Sequence, residues 1–521
     1  MVAYTRFPNG AKPPRTRTAT VAGRARPQPP GDCRGKAAER DGAKTARPAP
    51  AARRGTLAPP AAAARPPLPL TLFVLSLLMP LQLYLGPLYL NPHRLVLLTL
   101  FVPLLIAWIS GRAGRLRTQD GLFLAYLAWA GLTFFYNHGL GRIELVGMTV
   151  IEGLGAYLVG RILVRGPREY RHVLKLLVLA LLFLAPAAVL ESTTGIRVYS
   201  RIADAIADTY NWVHANPSYQ KRLGMYRAHT VFEHPILFGV FAATAFGLLY
   251  HRIRPGGQGT AGYRLAWLSL VNTFFSLSSG ALLSVVTQIG ITMWDRIMHG
   301  LRNHWKLLIG LTVAGYVVID LLSNRTPMEV FISYATFNAG TGYMRIIIFD
   351  WGMKNVLANP LFGLGMRDWV RPGWLSPSVD NFWLVNAMRH GIPGFLFIAG
   401  TFLSVIVGLG RLKIGDPEVA LMRKGLVIAF IGLSMSLVTV HIWGPTYAFV
   451  CFLLGASAWI RDRAGEDPEV APAGAAAGER RASKHPRRRP AASSGKAGNG
   501  TTAGNVRTGT GNVRTGRSGN G

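Results

Sequence analysis

Residues 391–410 read GIPGFLFIAGTFLSVIVGLG, twenty residues without one charged side chain. As a helix rising ~1.5 Å per residue, this stretch spans about 30 Å, the thickness of a bilayer's hydrocarbon core. Arg411 and Lys413 follow it at once, and a long mixed segment, about 324–390, precedes it. Working outward in both directions, similar apolar runs occur at about 68–90, 94–110, 121–137, 143–163, 173–191, 232–250, 262–276, 280–297, 307–323, 424–440 and 443–460. The pattern predicts an all-α, polytopic bundle of about 12 transmembrane helices over 68–460.

The charges support this reading. The 521-residue chain carries 57 Lys+Arg against 24 Asp+Glu, concentrated at its ends and in short clusters between apolar runs. With the N-terminus cytoplasmic, the short loops on that side hold 18 Lys/Arg, whereas the short outer loops hold only Arg94 and Arg142. Basic residues stay on the cytoplasmic side of a membrane, so the alternation predicts an even number of crossings with both termini cytoplasmic. Two outer loops are long, about 192–231 and 324–390, and long loops translocate largely regardless of charge.

The segment 1–67 holds 14 Lys/Arg against three Asp/Glu and has no apolar periodicity. It reads as a disordered, solvated cytoplasmic arm, since it cannot bury enough apolar surface to offset its ordering entropy. The same holds for 461–521, which repeats GNVRTG at 504–509 and 511–516. A nucleic-acid partner is not expected for either tail. Cys33 and Cys451 form no metal-ligand spacing and no disulfide framework. No phosphate loop, dinucleotide-binding glycine pattern or His-Glu-x-x-His is present.

Chemistry-bearing residues gather in the long outer loops. One group is Arg222, Arg227, His229, Glu233 and His234, at the entry to the run that begins HPILFG. Its helix-end position also suits simple snorkelling with Pro235 at the first helical turn. A second group is Arg345, Lys354, Arg367, Arg371, Asp380 and Arg389. Arginine forks match phosphate oxygens and stay charged, so such a cluster suits a diphosphate; lipid-headgroup anchoring is the alternative. Residues 343–358 place Met344, Ile347, Ile348 and Trp351 on one face, an amphipathic helix ended by Asn359-Pro360. Glu152, deep in an apolar run, reads as a bundle-facing hydrogen-bonding residue or a proton relay.

Arg227, FEHPILFG (232–239), SLSSGALL (276–283), the R-x-x-I-F-x-x-G pattern at 345–352, NPLFGLG (359–365) and DNFWLVNAMRHGIPG (380–394) occur in that order. Together they resemble the O-antigen ligase and polymerase superfamily over about 220–394. The resemblance implies a membrane glycosyltransferase at the periplasmic face of a bacterial inner membrane. Its donor would be an oligosaccharide or polysaccharide on undecaprenyl diphosphate, displaced with inversion and without metal or other cofactor. It implies Arg227 and Arg345 as diphosphate ligands and Asp380 as the base; Arg222 and Arg367, from the two arginine groups, are further candidate ligands, and Glu233 and His234 alternative bases. It also implies a chain-length regulator or another polysaccharide assembly protein as a candidate partner. Ser278-Ser279-Gly280 stands where many members have Ser-Arg-Gly, and Asp380-Asn381 where lipid A-core ligases have His-Asn. The first departure removes one expected arginine; the second favours an exopolysaccharide or O-antigen polymerase-like enzyme over a lipid A ligase. A polysaccharide flippase is the alternative reading.

Overall fold

The computed structural model describes residues 67–464 except 82, 86, 87, 207–220, 253–260, 328 and 331–338. The expectations for the basic arm (1–66), most of the basic tail (465–521) and the middle of the first long loop (207–220) lie outside the described residues.

Helix α1 (Leu68–Ser76) is followed by an antiparallel hairpin, β1 (Leu83–Leu85) with β2 (Leu88–Leu90). The apolar run 68–90 is therefore not one continuous helix. Pro80 cannot continue the helix, and Gly86-Pro87 separates the two strands in sequence. Next come α2 (Pro92–Ile109), α3 (Thr118–His138), α4 (Ile143–Val150), a π-turn at Ile151–Gly155, and α5 (Ala156–Leu163). They are followed by α6 (Pro167–Thr194), α7 (Val198–Ile206) and a second hairpin, β3 (Lys221–Arg222) with β4 (Met225–Tyr226). The rest is α8 (Pro235–Tyr250), α9 (Ala261–Phe275), α10 (Ser279–Ile297), α11 (His304–Leu322), α12 (Ala339–Ala358), α13 (Phe382–Gly410), α14 (Pro417–Ser436), α15 (Gly444–Ala456) and α16 (Ala458–Ala464).

Among the described residues, six helical segments are long and apolar enough to cross a membrane: 92–109, 140–163, 167–194, 304–322, 382–410 and 417–436. Helix α11 makes the case for an apolar surrounding. Its mean hydropathy is 1.7, yet none of its residues is buried by the protein. Leu321 and Leu322 are 76% and 82% exposed, an arrangement that suits hydrocarbon rather than water. The chain is an α-helical membrane protein.

Helix α8 is the pillar of the bundle. Every residue from Ile236 to Leu249 is buried, enclosed by α9, α10, α14 and α15. One end of the bundle is tied by ions: Asp462 accepts from Arg117 at 2.7 Å and from Arg161 at 2.8 Å, and Arg161 also reaches Asp120 at 3.2 Å. This network corrects the expected tail boundary. Helix α16 carries the chain past 460, and its Asp462 answers Arg161 of α5 and Arg117, the residue that precedes α3.

The opposite end carries the loops. The long loop expected over 324–390 holds the amphipathic helix as α12, whose Ile347, Ile348 and Trp351 join a small core with Val356, Trp369 and Leu375. Asn355 fastens the following segment by accepting from Val370 N–H at 2.9 Å and donating to its carbonyl at 2.8 Å. The loop also ends earlier than expected. Helix α13 starts at Phe382, and Gly391 (φ 68°) divides 382–390 from the apolar part.

Candidate functional site

The site grows from the loop-bearing end. Hairpin β3–β4 turns through Leu223 and Gly224, both at positive φ (51° and 78°), as a two-residue turn between paired strands needs. It carries Arg222 at its first strand and delivers Arg227 just beyond its second. The serine-rich turn before α10 receives both. Arg222 donates to the Leu277 carbonyl at 3.0 Å, and Arg227 Nε approaches the Ser276 carbonyl at 3.5 Å. Arg345, from α12, lies 3.5 Å from Ser279 Oγ, and its Nε is buried without a hydrogen-bond partner among the described residues.

Three guanidiniums from separate elements thus gather around one turn. Burial pushes Arg227 down to about 9, the charges of Arg222 and Arg345 push the same way, and Asp380 opposes them. Arg222 and Arg345 are also lowered by burial, and each is supported by Asp380. Asp380 is thus the carboxylate whose charge favours the charged form of all three arginines at longer range, without an ion pair to any of them among the described residues. It directly precedes Asn381, whose side chain caps α13 by accepting from Leu384 N–H at 3.0 Å, and it accepts from Ser378 Oγ at 3.4 Å.

Asp380, His234, Arg367 and Arg389 line a cavity of about 480 Å³. His234 caps α8, its Nδ1 accepting from Ile236 N–H at 3.2 Å. Burial, with Arg227 and Arg222 nearby, holds its pKa down to about 4. The ring is neutral with Nδ1 occupied, so the proton sits on Nε2 and His234 acts as a donor. Glu233 points elsewhere: it accepts from Trp443 Nε1 at 2.7 Å, and burial raises its pKa. Arg367 sits at the edge, where it donates to the Asn137 carbonyl at 3.1 Å. The structure thus joins Arg222, Arg227, Arg345 and Asp380 in one cluster, with His234 beside it and Glu233 and Arg367 outside it.

Three contributors had no sequence signal of their own. Glu191, at the end of α6, accepts from the N–H groups of His229 and Thr230, both at 2.9 Å, and so fixes the loop that follows Arg227. His441 lines the 480 Å³ cavity and a second one of about 310 Å³. Trp443 lies on the wall of both. The smaller cavity also holds Glu152, which sits in the π-turn. It is paired with Arg94 at 2.5 Å and with His93 at 3.2 Å, which answers its buried charge locally. A third cavity, of about 680 Å³, runs between α12, α13 and α14 and is almost wholly apolar, with Phe349, Trp383 and Phe395 among its walls; Asn381 also lines it. Among the described residues, no three His, Cys, Asp or Glu side chains converge as a metal site.

Comparison with known protein families and with curated proteins returns no match.

Proposed function

We propose that this protein is a membrane glycosyltransferase of the O-antigen ligase and polymerase type, acting on glycans carried by undecaprenyl diphosphate. The observation that carries this reading is the gathering of Arg222, Arg227 and Arg345 around the serine turn, within the electrostatic reach of Asp380. Three guanidiniums against one carboxylate leave two positive charges, which match a diphosphate diester with the sign reversed. The apolar groove that begins at Asn381, the residue after Asp380, suits the polyprenyl chain of the same donor.

In this reading a hydroxyl of the acceptor glycan attacks the anomeric carbon of the donor sugar. The bond from that carbon to the diphosphate oxygen breaks with inversion, and lipid diphosphate departs with the electron pair. Asp380 takes the hydroxyl proton. Arg227 and Arg345 stabilise the charge that grows on the leaving oxygen, where fixed donors matter most. His234 adds a neutral N–H on the same cavity wall. Arg222 supplies from the β-hairpin a cation where many members of the superfamily carry one in the serine turn.

The orientation belongs to the proposal. The cluster lies at the end of the bundle where α8 and α13 begin, opposite the Arg117–Asp462 network. The positive loops assign that opposite end to the cytoplasm, with both termini, so the cluster faces the periplasm of a bacterial inner membrane. Shorter helices such as α8, α9 and α15 complete the proposed set of about twelve crossings.

The test is a reconstituted reaction. Purified protein in proteoliposomes receives an undecaprenyl-diphosphate oligosaccharide, and products are resolved by chain length. Release of undecaprenyl diphosphate with glycan lengthening supports a polymerase. Movement of the intact donor across the bilayer without bond cleavage would instead make the protein a flippase and end the transferase reading.

A further inference from the structure

Arg389 stands apart from the diphosphate cluster. It lies one residue before His390, in the helical segment that ends at Gly391. The NPLFGLG loop holds that segment's end: Leu364 N–H donates to the Met388 carbonyl at 2.7 Å and Gly365 N–H to the Arg389 carbonyl at 3.0 Å. A side chain at Gly363, itself at φ 63°, would sit 2.6 Å from the Arg389 backbone, so the approach requires glycine there. The backbone of Arg389 is therefore fixed, and its side chain lines both the 480 Å³ and the 310 Å³ cavities.

No described residue pairs with this guanidinium. Two of the carboxylates lining the cavities are paired elsewhere, Asp368 with Arg371 at 2.5 Å and Glu152 with Arg94, and Asp380 forms no ion pair with Arg389. The unpaired cation meets a second unanswered group. His441 lines both cavities, and its Nδ1 is buried without a hydrogen-bond partner among the described residues. A neutral imidazole offers one donor and one acceptor, as a sugar hydroxyl does. Trp443 and Tyr447 supply flat apolar faces beside it. A charged fork, an imidazole without a hydrogen-bond partner among the described residues and aromatic walls are the elements of a site for an anionic sugar.

We propose that Arg389, His441 and Trp443 form an acceptor subsite at the throat between the two cavities, selective for a glycan bearing a uronic acid. The carboxylate sits on the Arg389 fork and a ring hydroxyl on His441, with a neighbouring hydroxyl turned into the larger cavity toward Asp380. The acceptor role rests on the transferase reading above; the anion selectivity does not.

Direct binding to the full-length protein in nanodiscs tests this without requiring turnover. The probes are tri-galacturonate, its carboxyl-reduced neutral trisaccharide, glucose 1-phosphate and undecaprenyl diphosphate. Tri-galacturonate binds about ten- to a hundred-fold more tightly than the neutral trisaccharide, the worth of one charge-assisted fork. Arg389→Gln removes that difference and leaves undecaprenyl diphosphate affinity within about two-fold, which also reports that the variant is folded. Arg389→Lys restores only part of it, because an ammonium lacks the fork. Equal affinity of wild-type protein for the acidic and neutral trisaccharides overturns the proposal whether or not the variants fold. So does tighter binding of glucose 1-phosphate than of tri-galacturonate, which would make the throat a phosphate site. Loss of undecaprenyl diphosphate binding in the wild type, with acidic-sugar selectivity intact, would sink the transferase reading alone.

Discussion

The carboxylate of Glu191 accepts the backbone N–H of His229 at 2.9 Å, two residues beyond Arg227. A second bond, from Thr230 N–H at 2.9 Å, holds a residue at φ 53°, a conformation that threonine seldom adopts unaided. Glu191 is thus a positioning residue for the cluster. Bonds to an ionised carboxylate are worth about 1.5–3 kcal/mol each. Glu191→Ala lowers turnover and donor affinity at least ten-fold, and Glu191→Gln, which keeps an acceptor oxygen, recovers part of both. Unchanged donor affinity in the alanine variant would show that the loop holds itself.

Arg227→Ala and Arg345→Ala each abolish polymer formation while the protein still inserts in the membrane. Membrane fractionation and chain-length analysis of the product check this. Wild-type polymer yield from both variants would reduce these arginines to loop anchors.

Asp380→Asn keeps the side-chain size and removes the base. The expected loss is in kcat, with donor binding changed little, because the carboxylate takes the proton only as the acceptor hydroxyl attacks. The removed negative charge also leaves three guanidiniums unopposed, so donor affinity is expected to hold or rise. A kcat equal to wild type removes Asp380 from the role of base.

Acid weakens the site through its histidines. His234 is held down to about 4, His229 to about 3 and His441 to about 3, each chiefly by burial and each also by nearby arginines. Unfolded histidine titrates near ~6.5. Below that value the unfolded chain takes up protons that the native one refuses, so the stability these rings contribute is present above pH ~6.5 and declines as pH falls toward about 4. The unfolding temperature in detergent should fall over this window, and less steeply in His234→Gln. An unchanged slope in that variant would move the effect to other groups.

At the opposite end, Asp462→Ala leaves Arg117 without its carboxylate and Arg161 with Asp120 alone. The expected cost is about 1–3 kcal/mol of stability, with the diphosphate cluster undisturbed. Thermal unfolding and undecaprenyl diphosphate binding measure the two halves of that statement separately.

That the chain is built of long apolar helices was legible in the residues taken alone, because hydrocarbon imposes a local rule of about twenty apolar residues per helix. The amphipathic helix around Trp351 was legible for the same reason, as its period lies within a few turns. The break in the run 68–90 escaped that rule, since its residues are apolar in either conformation. Arg222, Arg227, Arg345 and Asp380 could be named as chemical types, and only the family resemblance, not their own pattern, put them in one site. They lie up to 158 positions apart, and their proximity depends on the serine turn, the cap on α13 and the grip of Glu191. Arg389 carries the same lesson: its charge is plain in the sequence, while its want of a partner exists only once every nearby carboxylate has been placed.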